Sequence, residues 1–396
     1  MALHTNSIRI RLCMIGIGIV SGRRLCLVLL SSGVLTFSGC TGAPRSPAAP
    51  TPGVQSTATS QAPPAAAAPP ASGSAAQGAD QPSPVPAVVR AARTQGLGNI
   101  IHLADARGYF RELGIDLHSE QFGSAGDALP ALSRGDLDVA SAPPLPSFFN
   151  ALARDIRLVL ALDASLLTPG NRGYPVLSRL AGGQPVVQSP SDVRGKRVAH
   201  PARGNPAEPA LDRMLDEVGL TVSDLADVQY MGFPEILAAF GGGSADLAIV
   251  PEPWGAIAED RGLAARIGDA GDYIPNYEIA MIVFAEKFGH QQSDVARRFA
   301  VGYVRAARDY MDAMEYGRDR DAVIALLAES ANISPQILSK AGYLAVARDG
   351  RINSQTLTTF LNWQVEHGYV PQRPNLDEFL DYQFADDAVR TLDGAP

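Results

Sequence analysis

Beyond residue 40 the chain contains no cysteine; its three are Cys13, Cys26 and Cys40. A folded part without thiols can form no disulfide, no thiolate nucleophile and no cysteine metal site. Positive charge is also in short supply. Lys and Arg number 33 against 41 Asp and Glu, for a formal net charge of −8, so the basic surface of a nucleic-acid binder is not expected. The apolar run at 25–37, LCLVLLSSGVLTF, falls short of the roughly 18 residues that a membrane-spanning helix needs. Residues 41–86 have hardly a charge or large apolar side chain, consisting almost wholly of Ala, Pro, Ser, Gly, Thr and Gln. Such a stretch cannot bury enough surface to offset chain entropy.

These absences give the amino-terminal part a reading. Arg23 and Arg24 precede the apolar run, and Ser38-Gly39-Cys40 close it, the order of a basic segment, an apolar segment and small residues at a processing site. Small residues directly before a cysteine resemble a bacterial lipobox, with Phe37 where Leu is usual. The alternative is an ordinary secretory signal or retained anchor with a chance cysteine. A second short apolar patch at 12–20, after Arg9 and Arg11, is compatible with a translation start at Met14. Residues 1–39 are thus expected to be a lipoprotein signal, Cys40 the lipidated residue, and 40–86 a disordered tether. The protein is expected to be exported and anchored on the outer face of the cell membrane.

The folded part is organised around a repeat. Residues 242–255, GGSADLAIVPEPWG, are anticipated by 134–147, RGDLDVASAPPLPS. Gly135 matches Gly243, Asp138 matches Asp246, Ala140 matches Ala248 and Pro143 matches Pro251. Each copy follows a helix-like stretch, DALPALS from Asp127 and EILAAFG from Glu235, and reads as helix, turn, short buried strand and Pro-rich loop. In open α/β sheets ligands gather at the carboxyl ends of strands, so two such units facing each other would wall a cleft. Further strands are expected at 87–92, 115–120, 156–162, 196–199, 227–231 and 278–285, and helices at 105–113, 210–218, 293–316, 318–331, 334–341 and 354–367. A hairpin or crossover is expected over 174–188. Strands alternate with helices as far as residue 285, an α/β class, and with 46% hydrophobic residues the core is ample.

Five segments in order carry a resemblance: GYFRELGIDL (108–117), FGSAGDALPALSRGDLDVA (122–140), DVRGKRVAHPARGNPAE (192–208), VPEPWGAIA (250–258) and WQVEHGYV (363–370). Together they resemble the SsuA/THI5-type substrate-binding proteins, extracytoplasmic receptors of ABC importers for sulfonates, nitrate, thiamine-precursor pyrimidines and related small molecules. The resemblance implies a two-lobed type II periplasmic-binding-protein fold with two crossover strands, near 174–188 and 278–285. The first lobe would hold 87–188, the second 189–276, and 277–396 would return to the first. It also implies a small-molecule ligand between the lobes, an ABC permease as membrane partner, a monomer, no cofactor and no catalysis.

The expected ligand contacts lie at loop and strand ends. They are Asn99 and His102 after the first strand, Ser124 and Asp127 at a helix start, and Ser141 and Pro143 at the end of the first repeat. From the second lobe come Arg203, Asn205 and Glu208 before a helix, and Glu252 and Trp254 in the VPEPW segment. An arginine near a helix amino terminus suits an anion, and a tryptophan offers a flat apolar wall. Other roles stand beside these: caps for Asn99, Ser124 and Asp127, a hinge brace for Glu252, core packing for Trp254. Arg203 and His200 favour an anion, whereas Asp127, Glu208 and Glu252 favour an amine, and the residues leave that choice open. Two other functions stand against a receptor. One is an enzyme on the same fold, disfavoured because enzymatic relatives use cysteines that the folded part of this chain lacks. The other is a ligand-free scaffolding or sensory lipoprotein.

Overall fold

The computed structural model of the chain describes residues 86–93, 99–122, 125–154 and 156–394, with the backbone alone at 125–127. Cys40, the expected signal and the expected tether up to residue 85 lie outside the described residues, as does Ser124. Among the described residues no helix is long and apolar enough to cross a membrane.

The chain first lays down β1 (Ala87–Arg93), α1 (Ile100–Ala106), α2 (Tyr109–Glu112), β2 (Ile115–Gln121), α3 (Ala125–Arg134), β3 (Val139–Ala142), α4 (Pro146–Leu152) and β4 (Leu158–Leu166). It crosses over and builds β5 (Pro175–Ala181), β6 (Gln184–Pro185), β7 (Arg197–His200), α5 (Ala207–Asp216), β8 (Asp227–Tyr230), α6 (Phe233–Gly242), β9 (Leu247–Ile249), α7 (Trp254–Asp260), β10 (Ala264–Asp269) and α8 (Ala270–Tyr273). It then returns through β11 (Glu278–Ala285) to α9 (Ser293–Tyr316), α10 (Arg320–Ala331), α11 (Pro335–Lys340), α12 (Ser354–Glu366) and α13 (Gln383–Asp393).

Two sheets result, in the orders β2-β1-β3-β11-β4 and β10-β5-β9-β7-β8, with β6 paired to β5. Both obey one plan. Three parallel strands (β1, β2, β3 and β7, β8, β9) are followed by an antiparallel strand that has arrived from the other lobe, β11 in the first and β5 in the second. The expectation that 87–188 belongs to the first lobe is corrected here, because Pro175–Ala181 pairs between β9 and β10 of the second sheet. The reason is burial on both faces. Val176 joins one apolar cluster and Leu177 the other, a demand met inside the second sheet and not at a lobe edge. The crossings therefore lie near 167–174 and 274–278.

Alternation of this kind runs through the second sheet. Val198, Leu247 and Ile249 enter one cluster, Ala199 and Ala248 the other, as a period of two requires. In the first lobe, α9 packs across the sheet with residues three or four apart. Phe299 stacks on Phe110 at 4.7 Å and meets Phe284 of β11 edge-on at 5.7 Å, while Tyr303 and Tyr310 follow on the same buried face.

The sequence repeat has a structural cause. Arg90 of β1 donates through Nε to Asp138 Oδ2 (3.1 Å) and through Nη2 to the Gly135 carbonyl (2.8 Å). Arg197 of β7 makes the same fork, to Asp246 Oδ2 (3.0 Å) and the Gly243 carbonyl (2.7 Å). Gly135 and Gly243 have φ of +74° and +69°, a region where a side chain is strained. Each copy is thus a turn clamped by an arginine from the neighbouring strand. Gly135/Gly243 and Asp138/Asp246 recur because the turn needs them.

Candidate functional site

Parallel strands present their carboxyl ends on one edge, so the loop after β3 and those after β7, β8 and β9 form two rims. The rims touch. A Cβ placed on Gly204, in the loop after β7, would lie 2.4 Å from Pro146 Cγ at the start of α4 and 3.4 Å from the Tyr369 ring. Gln364 of α12 donates through Nε2 to the Pro144 carbonyl (2.7 Å) and to the Gly204 carbonyl (3.0 Å). The Ser141–Pro143 loop end and the Arg203–Glu208 loop are therefore brought together. Only glycine fits at 204, where φ is +66° and the opposite lobe is in contact. Gly204→Ala is expected to hold the lobes apart, cutting ligand affinity about tenfold and stability by about 1–2 kcal/mol. Titration calorimetry and thermal melts check both.

On the first rim, Ser141 and Pro143 are half-buried. Asn99 caps α1, its side chain accepting from His102 N at 3.4 Å. His102 is half-buried, and burial first, then the Arg93 guanidinium, lowers its pKa. The Asp127 side chain lies outside what is described.

The second rim separates groups that look alike in sequence. Arg203 is exposed, has no carboxylate partner among the described residues, and stacks over the Tyr230 ring at 4.2 Å. Asn205 is committed to its own loop, accepting from Ala207 N at 2.7 Å and donating to the Ala202 carbonyl. Glu208 accepts from Gly204 N (2.9 Å) and from the Tyr369 hydroxyl across the lobes (2.8 Å). Burial raises its pKa and the Tyr369 bond opposes that rise. His200 is wholly buried with neither ring nitrogen partnered. Desolvation pushes its pKa down to about 4, so it carries no charge near neutral pH. The expectation that His200 adds positive charge to the cleft is thereby corrected.

Glu252 is the largest departure. It is 2% exposed and both oxygens are taken. Oε1 pairs with Arg266 Nη2 and accepts from Gly342 N (3.3 Å), and Oε2 accepts from Ala256 N (2.9 Å). Arg266 in turn donates to the Arg172 carbonyl at 2.6 Å. These groups surround the 167–174 crossing, so Glu252 braces that crossing. Two residues on, Trp254 is half-buried and stacks on Phe233 at 5.2 Å and 17°. Indole and phenyl stand at the starts of α7 and α6, where β9 and β8 have just ended, as a flat apolar platform.

A model of the NMT1/THI5-like family matches residues 99–314, more than half of the 396. The chain belongs to the NMT1/THI5-like family. Curated protein sequences give no match. Solved structures similar to this NMT1/THI5-like chain include the alkanesulfonate-binding protein SsuA of Xanthomonas axonopodis pv. citri bound to MOPS, at 18% identity and a TM-score of 0.60, covering 76% of this chain and 100% of that one. The periplasmic nitrate-binding protein NrtA of Synechocystis PCC 6803 shares 12% identity at a TM-score of 0.60, over 78% of this chain and 89% of that one. The desulfurization enzyme DszB shares 14% identity at a TM-score of 0.57, over 77% of this chain and 99% of that one. The two-lobed α/β fold is common to all three. The family match spans every expected contact from Asn99 to Trp254. It stops short of Gln364 and Tyr369, which hold the rims together and which sequence reasoning did not single out. The signal was present in WQVEHGYV, whose Gln and Tyr are these two residues.

Proposed function

We propose that the chain is the extracytoplasmic solute-binding lipoprotein of an ABC importer, capturing a small organic molecule between its lobes and delivering it to a membrane permease. The carrying observation is the meeting of strand-end loops from two sheets joined by two crossings. Closure about a hinge is the motion such a joint allows. Lipidation at Cys40, the tether, export and a monomeric state complete the reading.

The rim chemistry narrows the classes of aliphatic sulfonate, nitrate and pyrimidine. Arg203 is a cation without a carboxylate among the described residues, whereas Glu208 and Glu252 are already engaged. An anionic head on Arg203 with an organic body on the Phe233–Trp254 platform uses both features, and MOPS bound to SsuA is of that type. An amine finds Glu208 and Glu252 of the second rim already occupied. An enzymatic reading draws on the likeness to DszB, but with no cysteine after residue 40 a thiol nucleophile is excluded.

A thermal-shift panel of alkanesulfonates, taurine, nitrate, aromatic carboxylates and aminopyrimidines tests the reading. A ligand at a hundred times its Kd adds about 2.7 kcal/mol to stability. Arg203→Ala is expected to weaken an anionic ligand about tenfold or more, and Trp254→Ala to weaken organic ligands while sparing nitrate. Silence across the whole panel would favour the scaffolding reading. Ligand turnover would favour the enzyme.

A further inference from the structure

Asp163 of β4 and Glu278, the first residue of β11, are both 0% exposed. They lie on paired strands, and their carboxyls come within reach of each other. The remaining contacts are N–H donors: Ala347 N to Asp163 Oδ2 at 2.5 Å and Asn353 N to Glu278 Oε2 at 2.8 Å. Asp163 Oδ1 and Glu278 Oε1 are buried and have no hydrogen-bond partner. Two ionised carboxylates are acceptors only, so these two buried oxygens can satisfy each other only with a proton between them.

Among the described residues no cation compensates. Arg348 is turned to Asp312 and Glu315, and Arg351 to Asp386. From α9, Tyr303 donates to the Asp163 carbonyl (2.9 Å) and Tyr310 to the Leu344 carbonyl (3.0 Å). From α12, Thr356 Oγ1 accepts from Glu278 N (3.1 Å), and the other charge facing the pair, Asp349, is negative. Burial raises both pKa values, and for Glu278 the neighbouring Asp163 charge raises it further.

The position is as telling as the chemistry. β4 leads into the 167–174 crossing, and β11 begins where the second crossing ends. The segment 341–353, which supplies both N–H donors, also runs along the first crossing. It bridges Leu166 to Ala345 and Arg172 to Tyr343, and a Cβ on Gly342 would lie 1.9 Å from the Arg172 carbonyl.

We propose that Asp163 and Glu278 share one proton and form a proton-operated lock on the hinge. Protonated, the pair ties both crossing strands to the 341–353 segment. When the proton leaves to solvent, two like charges are confined without water or cation, and the joint is released. The proposal rests on the hinged two-lobe reading but not on any ligand, so a silent ligand panel would count against the proposed function alone.

A group protonated more firmly in the folded than in the unfolded chain contributes stability at low pH that is lost as pH rises through its folded pKa. For the full chain the melting midpoint is expected to fall by about 4 °C or more between about pH 5 and about pH 8.5 on account of this pair. Glu278→Gln supplies a permanent donor to Asp163 and should flatten that slope by about half or more. Asp163→Asn should do the same if the first variant fails to fold. Opening is read from Trp363, whose Nε1 donates across the lobes to Asp212 Oδ2 at 2.9 Å. With Trp254→Phe throughout, Trp363 is the one indole left of two. Its emission should shift to the red at high pH in the parent and stay fixed in Glu278→Gln. Equal slopes in parent and variants would overturn the shared proton. A flattened slope without any change in emission would overturn the lock.

Discussion

Replacing Glu252 with Ala is expected to cost about 3–5 kcal/mol of folding stability, the range for removing one partner of a buried ion pair. The side chain is 2% exposed, and the Arg266 side chain it pairs with is 7% exposed, so Arg266 would be left with only its longer contact to Glu259 Oε2 at 3.5 Å. The N–H groups of Ala256 and Gly342 lose their acceptor at the same time. A melting midpoint lowered by about 5 °C or more in calorimetry checks this. Glu252→Gln should recover part of the loss, since an amide oxygen still accepts from one N–H. The result also separates brace from contact: a ligand-contact glutamate would change affinity with little change in melting, the reverse of what is expected.

The second large effect belongs to Asp246. It accepts two bonds from the Arg197 guanidinium and one from the Arg197 backbone N–H, and holds Arg179 Nη2 at 3.0 Å. Burial works against its charge, but the bonds from Arg197 and Arg179 outweigh it and keep the pKa at about 2. Asp246→Ala is expected to cost about 2–3 kcal/mol, discounted from the fully buried range because Arg197 is partly open to water. Its counterpart Asp138 has one arginine, Arg90, whose side chain is 45% exposed, and should lose about half as much. Since the folded pKa of Asp246 is depressed, its contribution is present above about pH 4 and disappears as pH falls toward about 2. Acid titration of parent and Asp246→Asn by circular dichroism should therefore converge at the lowest pH and differ at neutrality. Convergence at neutrality instead would show that the clamp carries no weight.

Much of the architecture could be read in advance because it is written locally. Glu278–Ala285 and Ser293–Tyr316 have the bounds expected from an apolar run and from three-to-four spacing. β10 and α13 were not foreseen. The strand AARIGD alternates weakly and has Gly268 at a register shift, and α13 finds its apolar partners only in elements distant along the chain, α9 and β11, with Phe384 meeting Phe284 edge-on at 5.1 Å.

The candidate site was legible in place but not in role. The repeat, the α/β class and the gathering of candidate contacts at strand ends follow from patterns a few residues long, which depend on periodicity and turn chemistry alone. Which sheet takes Pro175–Ala181, whether Glu252 meets a ligand or Arg266, whether His200 is charged, and whether Glu208 is free depended on the tertiary structure. Those outcomes turn on burial and on partners distant in the chain, Tyr369 lying 161 residues from Glu208 and Gly342 lying 90 from Glu252. A carboxylate's role is set by what desolvates it and what donates to it, and neither is written in its neighbours along the sequence.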